Sequence, residues 1–186
     1  TKWLAAIAAL TNSAEETMKA IRTFYGPQTN PEHVYSDNSK EIAKALELLN
    51  LAHLHDTSTP NRPATNGLVE RAVQTVKEGI TAVLIQSGFT HPWWADAMRA
   101  FCFLHNHLDK LSDGDTPYER RFKMKFTDRW KNFTFYPFGA EIRYKPSSPK
   151  VQNQMSPFGA KTLPGIFLGY HEHKGGYFSG DLLVAD

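Results

Sequence analysis

Residues 58–78 read Ser58-Thr59-Pro60-Asn61-Arg62-Pro63-Ala64-Thr65-Asn66-Gly67-Leu68-Val69-Glu70-Arg71-Ala72-Val73-Gln74-Thr75-Val76-Lys77-Glu78, and how they are read decides the fold. Pro60 and Pro63 cannot donate to a ladder, so the stretch opens as a loop; at Asn66-Gly67 it hands over to a helical pattern. Val69, Val73, Val76, Ile80 and Val83 recur at helical spacing as an apolar stripe, with Glu70, Gln74, Lys77 and Thr81 along its polar edge. This puts Glu70 in the first turn of the helix, where the macrodipole alone favours a carboxylate. A second carboxylate stands upstream in His33-Val34-Tyr35-Ser36-Asp37-Asn38, where a short apolar segment ends in Ser-Asp-Asn before a new helical pattern. An Asp at the carboxyl end of a strand lies where open α/β sheets place their ligands.

Outward from these two segments the chain alternates helices and strands. Trp3 to Leu10 is compatible with a helix or a buried strand. Ser13-Ala14-Glu15-Glu16 has the form of a capping box, followed by Met18, Ile21 and Tyr25 on one face and a stop at Gly26-Pro27. Ile42, Leu46 and Leu49 mark a second helix, Leu51 to His55 a short strand, and Ser87-Gly88 closes the helix that carries Glu70. Pro92 suits a first helical position, with Trp94, Met98, Phe101 and Leu108 down one side of the helix that follows. The texture changes after Asp113-Gly114-Asp115. A basic cluster, Arg120-Arg121-Phe122-Lys123-Met124-Lys125, leads into short apolar runs at 140–144, 165–170 and 177–185 that read as small antiparallel strands. The boundary falls near residue 127.

Tyr35-Ser36-Asp37-Asn38, then His55 with Ser58-Thr59-Pro60, then Asn66-Gly67-Leu68-Val69-Glu70-Arg71, resembles the second half of the integrase catalytic core of retroviruses and LTR retrotransposons. Trp93-Trp94-Ala95-Asp96-Ala97, Leu104-His105-Asn106, Thr116-Pro117-Tyr118-Glu119 and Gly165-Ile166-Phe167-Leu168-Gly169-Tyr170 are similar to the copia-type branch of retrotransposon Pol polyproteins. Each string alone is weak; their appearance in the family's order makes the resemblance specific.

The resemblance implies an α/β, RNase H-like integrase core over residues 1–127, lacking its first strands, then a small antiparallel β-rich module over 128–186, and it favours a strand for Trp3 to Leu10. It implies DNA strand transfer by an enzyme whose two Asp and one Glu hold Mg²⁺ or Mn²⁺. Asp37 matches the second Asp and Glu70 the Glu, at an interval a few residues shorter than the family's usual one. The first Asp has no match: Asp37 is the first aspartate of the chain, and Glu15, Glu16 and Glu32 fall in a helical turn or a loop. The expectation is therefore that this Asp lies upstream of Thr1 and that the fragment is inactive alone. DNA as partner, self-association, and a nuclear or virus-like-particle location are also implied by the resemblance.

Hard oxygen donors suit this chemistry, because Mg²⁺ keeps several waters and needs only a few carboxylates. Lys77, two turns beyond Glu70 on the same stripe, and Arg71 beside it are candidates for phosphate contact, the alternative being a solvated helix face. Arg120, Arg121, Lys123 and Lys125 are the best candidates for contact with a DNA backbone, the alternative being a solvated basic linker. Asn38 and Asn66 are helix-cap or site-shaping residues, and His55 is structural or site-shaping. His105 with His107, and His171 with His173, do not read as metal pairs, since an i, i+2 spacing diverges on a helix.

Composition narrows the alternatives. In 186 residues, 41% hydrophobic, a packed core is expected. A net charge of +2 does not by itself announce a nucleic-acid binder; residues 1–127 are balanced, and the mild basic excess lies beyond them. The single Cys102 excludes an internal disulfide and a multi-cysteine zinc site. No apolar run is long enough to span a bilayer and nothing resembles a signal peptide, so an intracellular protein without membrane partners is expected. Two rival functions remain: a non-catalytic nucleic-acid-binding or interaction remnant of a decayed element, and an unrelated hydrolase using Asp37 and Glu70 as acid and base.

Overall fold

A computed structural model describes residues 1–27, 29–57, 63–146, 148–155 and 158–186, with the side chains of 63–66, 150, 151 and 154 outside the description. The elements are α1 (Ala14–Tyr25), β1 (Val34–Ser36), α2 (Lys40–Leu48), β2 (His55–Thr57), α3 (Pro63–Ser87), α4 (Trp94–Leu108), α5 (Pro117–Phe122), α6 (Phe126–Arg129), β3 (Glu141–Tyr144), α7 (Pro149–Gln154), β4 (Leu163–His173) and β5 (Tyr177–Ala185). They form a mixed α/β arrangement with a separate three-stranded sheet, as the alternating pattern predicts. Contacts divide the chain into two compact units. One comprises Leu4–Glu78 and Glu172–Ser179, the other Thr1–Trp3, Gly79–His171 and Gly180–Asp186. The division between the two units falls within α3.

In the first unit, β1 and β2 pair in parallel, Val34 opposite His55 and Ser36 opposite Thr57. α1 begins where Ser13 Oγ accepts the Glu16 N–H at 3.2 Å, and ends at Gly26, whose φ of +83° a side chain would resist. The tip of the β4–β5 hairpin seats on this end: Gly175 N–H donates to Thr23 O at 2.8 Å, and a Cβ on Gly26 would lie 3.2 Å from Gly175 Cα. α2 starts at Ser39, which caps the Ile42 N–H, and buries Ala45 and Leu46 completely.

In the second unit, Ala97 and Ala100 of α4 pack with Phe138 at the centre of a cluster completed by Ile80, Val83, Leu84, Phe89, Trp93 and Leu168. Small residues on α4 and Gly79 on α3 let the helices approach: a Cβ on Gly79 would fall 2.3 Å from the Phe101 ring. The other end of α4 enters an aromatic shell in which Phe103 stacks on Tyr170 at 3.9 Å and on His107 at 4.0 Å. β3 pairs antiparallel with β4, Glu141 opposite Ile166 and Tyr144 opposite Leu163, and β5 lies on the far side of β4.

Four local expectations change. Residues 3–10 form no regular element, so the strand favoured by the resemblance is absent there. The strand expected at 51–55 is displaced to His55–Thr57 because residues 52–54 close a 3₁₀ turn, with Leu54 N–H donating to Leu51 O. α3 begins at Pro63, not at Asn66-Gly67, so Asn66 lies inside the helix and is not its cap. α4 buries Ala97, Met98, Ala100, Cys102, Phe103, Asn106 and His107, so Met98 of the expected stripe is inside while Trp94 and Leu108 are exposed. Hydrophobicity marks Met98 but not the two alanines, because the close neighbours of α4 demand small residues there. Among the described residues no helix is long and apolar enough to cross a membrane.

Candidate functional site

Asp37 follows β1 directly, and both its position and its bonds come from the parallel pair. A strand's two-residue period sends Val34 and Ser36 to one face and His33 and Tyr35 to the other. On the first face Ser36 Oγ meets His55 Nε2 at 2.8 Å; on the second His33 Nε2 meets Asp56 Oδ2 at 2.8 Å. Ser36 Oγ also donates to the Asp37 carbonyl at 2.7 Å. The Asp37 carboxylate is exposed; its Oδ1 accepts the Ser39 N–H at 3.3 Å, and among the described residues its Oδ2 carries no hydrogen bond. Asn38 is exposed beside it, and the cap of α2 is Ser39, so capping does not account for Asn38.

Glu70 lies two turns inside α3, exposed, with no hydrogen-bond partner among the described residues. The earlier start of the helix removes the macrodipole explanation, since that effect fades within the first turn. Lys77 follows seven residues later, and seven residues are nearly two full turns, so it shares Glu70's face and is exposed as well. Arg71 is exposed, and its carbonyl accepts from Thr75 Oγ1. The side chain of Asn66 and the loop residues 58–62 lie outside the described residues.

The basic cluster is a folded segment and not a linker. Thr116 Oγ1 accepts the Glu119 N–H at 3.1 Å and Glu119 returns to the Thr116 N–H at 2.7 Å, a complete capping box that starts α5. Arg120 bonds Asp113 through Nε at 3.1 Å and through Nη2, which holds the Asp113 carboxyl below its usual range. The Arg121 guanidinium lies 5.0 Å from the Trp3 ring centroid and 5.8 Å from that of Phe122. Both arginines are half-buried; Lys123, in the left-handed conformation that ends α5, and Lys125 are exposed. The four are therefore unequal candidates for a polyanion.

The histidine pairs separate by element. On α4, His105 turns to Asp109 at 2.7 Å while His107 is buried. His171 and His173 stand on strand β4, where i, i+2 side chains share a face, so the helical reason given against them does not apply; His173 Nε2 meets Ser179 Oγ at 3.1 Å. A cavity of about 820 Å³ on the β3–β5 sheet, with Tyr136, Arg143 and Lys145 in its wall, contains none of the residues singled out from the sequence. Asp37 and Glu70 are both exposed.

The chain is 26% identical over 124 residues to a "Retrovirus-related Pol polyprotein from transposon TNT 1-94" of Nicotiana tabacum. The match takes in 66% of this chain and 9% of that much longer polyprotein. Among solved structures, the catalytic core domain of BIV integrase is similar with a TM-score of 0.45 and 21% identity, over 67% of this chain and 79% of that one. No family model matches.

Proposed function

We propose that this chain, similar to a retrovirus-related Pol polyprotein, is part of a copia-type retrotransposon integrase, with an RNase H-like core over residues 1–127 and a small β-rich module over 128–186. The observation that carries the reading is the order of parts: β1 ending in Asp37, a helix, a strand parallel to β1, and then Glu70 exposed on α3. Asp37 and Glu70 supply two of the three carboxylates that the resemblance calls for; the third would come from an earlier strand, and this segment alone would be inactive.

The donor set fits a hard divalent cation. Both carboxylates are exposed, so their remaining coordination positions can go to water, and Asp37 keeps Oδ2 open while Ser39 holds Oδ1. Bound Mg²⁺ or Mn²⁺ would activate the attacking oxygen and stabilise the leaving oxygen of a phosphoryl transfer. The chain's own residues do the rest. Lys77 on Glu70's face and Arg71 beside it position phosphates, and Lys123 and Lys125 add backbone contacts. Element ends and target DNA are the substrates, the working form is a self-associated multimer, and its place is the nucleus or a virus-like particle.

The test is Glu70→Gln in a polypeptide that includes the strand bearing the third carboxylate. Loss of strand transfer with retained DNA binding is expected; retained strand transfer refutes the assignment. The rival reading is a DNA-binding remnant without catalysis. Under it, DNA binding persists and strand transfer never appears, whichever upstream residues are restored.

A further inference from the structure

The Asp37 carboxylate is exposed at the end of a three-residue strand, so little of the backbone ladder is available to fix its direction. Three hydrogen bonds do so instead. Ser39 N–H holds Oδ1, Ser36 Oγ–H holds the Asp37 carbonyl, and His55 Nε2 holds Ser36 Oγ from the neighbouring strand. Ser36 has one hydroxyl proton. Donation to the Asp37 carbonyl at 2.7 Å uses it, so the 2.8 Å contact to His55 is one in which Nε2–H donates and Ser36 Oγ accepts. The chain of donation runs His55 Nε2–H to Ser36 Oγ–H to Asp37 C=O. It ends on the backbone of the residue whose carboxylate must point at a cation.

We propose that His55 is a positioning residue for the cation site, acting on Asp37 through Ser36 without touching the ion. The inference rests on the reading of Asp37 as a metal ligand. The parallel register makes the contact possible: Ser36 and His55 are diagonal neighbours on one face because Val34 stands opposite His55. A one-residue slip would send His55 to the other face. Both groups are half-buried, so water competes poorly for the bond. The hydrogen-bonded group behind a metal ligand typically changes affinity by 10- to 100-fold. For a site open to solvent the lower end of that range applies, about tenfold.

The experiment uses the 186-residue chain and Mn²⁺ as the probe, read by paramagnetic broadening of assigned amides around Asp37 and Glu70. His55→Ala and Ser36→Ala should each raise the apparent Mn²⁺ dissociation constant about tenfold. His55→Gln, which keeps an N–H donor near the Nε2 position, should restore it to within about twofold. That rescue separates positioning from a general loosening of the strand pair, which Gln would not repair. If Asp37→Asn abolishes the broadening and His55→Ala leaves it at the wild-type level, the His55 proposal is overturned and the metal reading stands. If Asp37→Asn leaves the broadening unchanged, the metal reading fails and this inference goes with it. Should His55→Ala not fold, Ser36→Ala decides: wild-type affinity in that variant overturns the relay.

Discussion

Acidification should destabilise the unit that contains α4 through one residue, His107. Its ring is 5% exposed, Nδ1 meets the Phe103 carbonyl at 2.7 Å, and Nε2 is buried with no hydrogen-bond partner among the described residues. Rings of Phe103, Tyr118 and Phe126 stand within 5 Å, so a proton on Nε2 would add a charge with no acceptor to receive it. Burial pushes the pKa from 6.5 down to about 4, with the bond to Phe103 O opposing the shift only in part. Because the folded value is depressed, the unfolded chain binds more protons between pH 6.5 and 4, and stability rises with pH across that window. The contribution is complete above pH 6.5, falls as the pH is lowered, and is exhausted below about 4, where both states are protonated. At 1.36 kcal/mol per unit the effect is about 3 kcal/mol. Carboxylates lose their own contributions in the lower part of this range, so the comparison is between wild type and His107→Phe, which keeps a ring in the aromatic shell and removes the titration. Urea unfolding at pH 7.5, 6.5, 5.5 and 4.5 should show the wild type losing about 2.5 kcal/mol more than the variant. Parallel pH profiles would falsify the account.

Three further outcomes follow from other parts of the molecule. Gly139→Ala should cost about 2–4 kcal/mol by denaturant titration: φ is +81° there, and the new Cβ would meet Ser87 Cβ at 2.6 Å, so backbone strain and overpacking add. Tyr170→Phe should cost about 1–3 kcal/mol, because its hydroxyl accepts the Tyr136 N–H at 2.8 Å and donates to the Tyr136 carbonyl at 2.9 Å; in the wild type, alkaline spectrophotometric titration should find one tyrosine pushed up to about 12. Neutralising Lys123 and Lys125 together should reduce the dependence of log K on log salt for DNA binding by about two. Arg121→Gln should change that slope little, because its guanidinium already lies over Trp3, and an equal effect would refute the distinction.

What could be read from the sequence depended on whether local pattern or tertiary contact decided each element. α1 was legible because Ser13 and Gly26 act within a few residues of themselves, and β3 to β5 because glycines and prolines bound short apolar runs. On α4 Met98 was legible but the alanines of the buried face were not, since Ala97 and Ala100 carry no strong hydrophobic signal and are selected by the closeness of their neighbours. His107 and Asn106 are buried polar residues on that helix, which hydrophobic periodicity assigns to the surface. Arg120 and Arg121 read as free charge because the partners that engage them, Asp113 and Trp3, are seven and 118 positions away. The signal that would have corrected the linker reading was local, Thr116-Pro117-Tyr118-Glu119, a capping box with proline at the first helical position. For the candidate site, motif order located Asp37 and Glu70, but the donation from His55 needs the strand register, which the sequence alone did not supply.

The smallness of the β1–β2 pair is what makes its side-chain bonds consequential. Two strands of three residues share few ladder bonds, and a two-stranded ribbon is marginal in water on its own. Burial of Ala45 and Leu46 on α2 anchors the helix that begins just after Asp37, but the carboxylate itself lies outside any core. Apolar packing cannot fix the direction of an exposed carboxylate to within a fraction of an ångström. Directional bonds can. Ser36, Ser39 and His55 each reach Asp37 directly or in one step, and none of them contributes much buried apolar area. Substituting them should therefore trouble the site before it troubles the fold. Gly139 and Tyr170 stand in the opposite relation, because their contacts hold the core of the other unit.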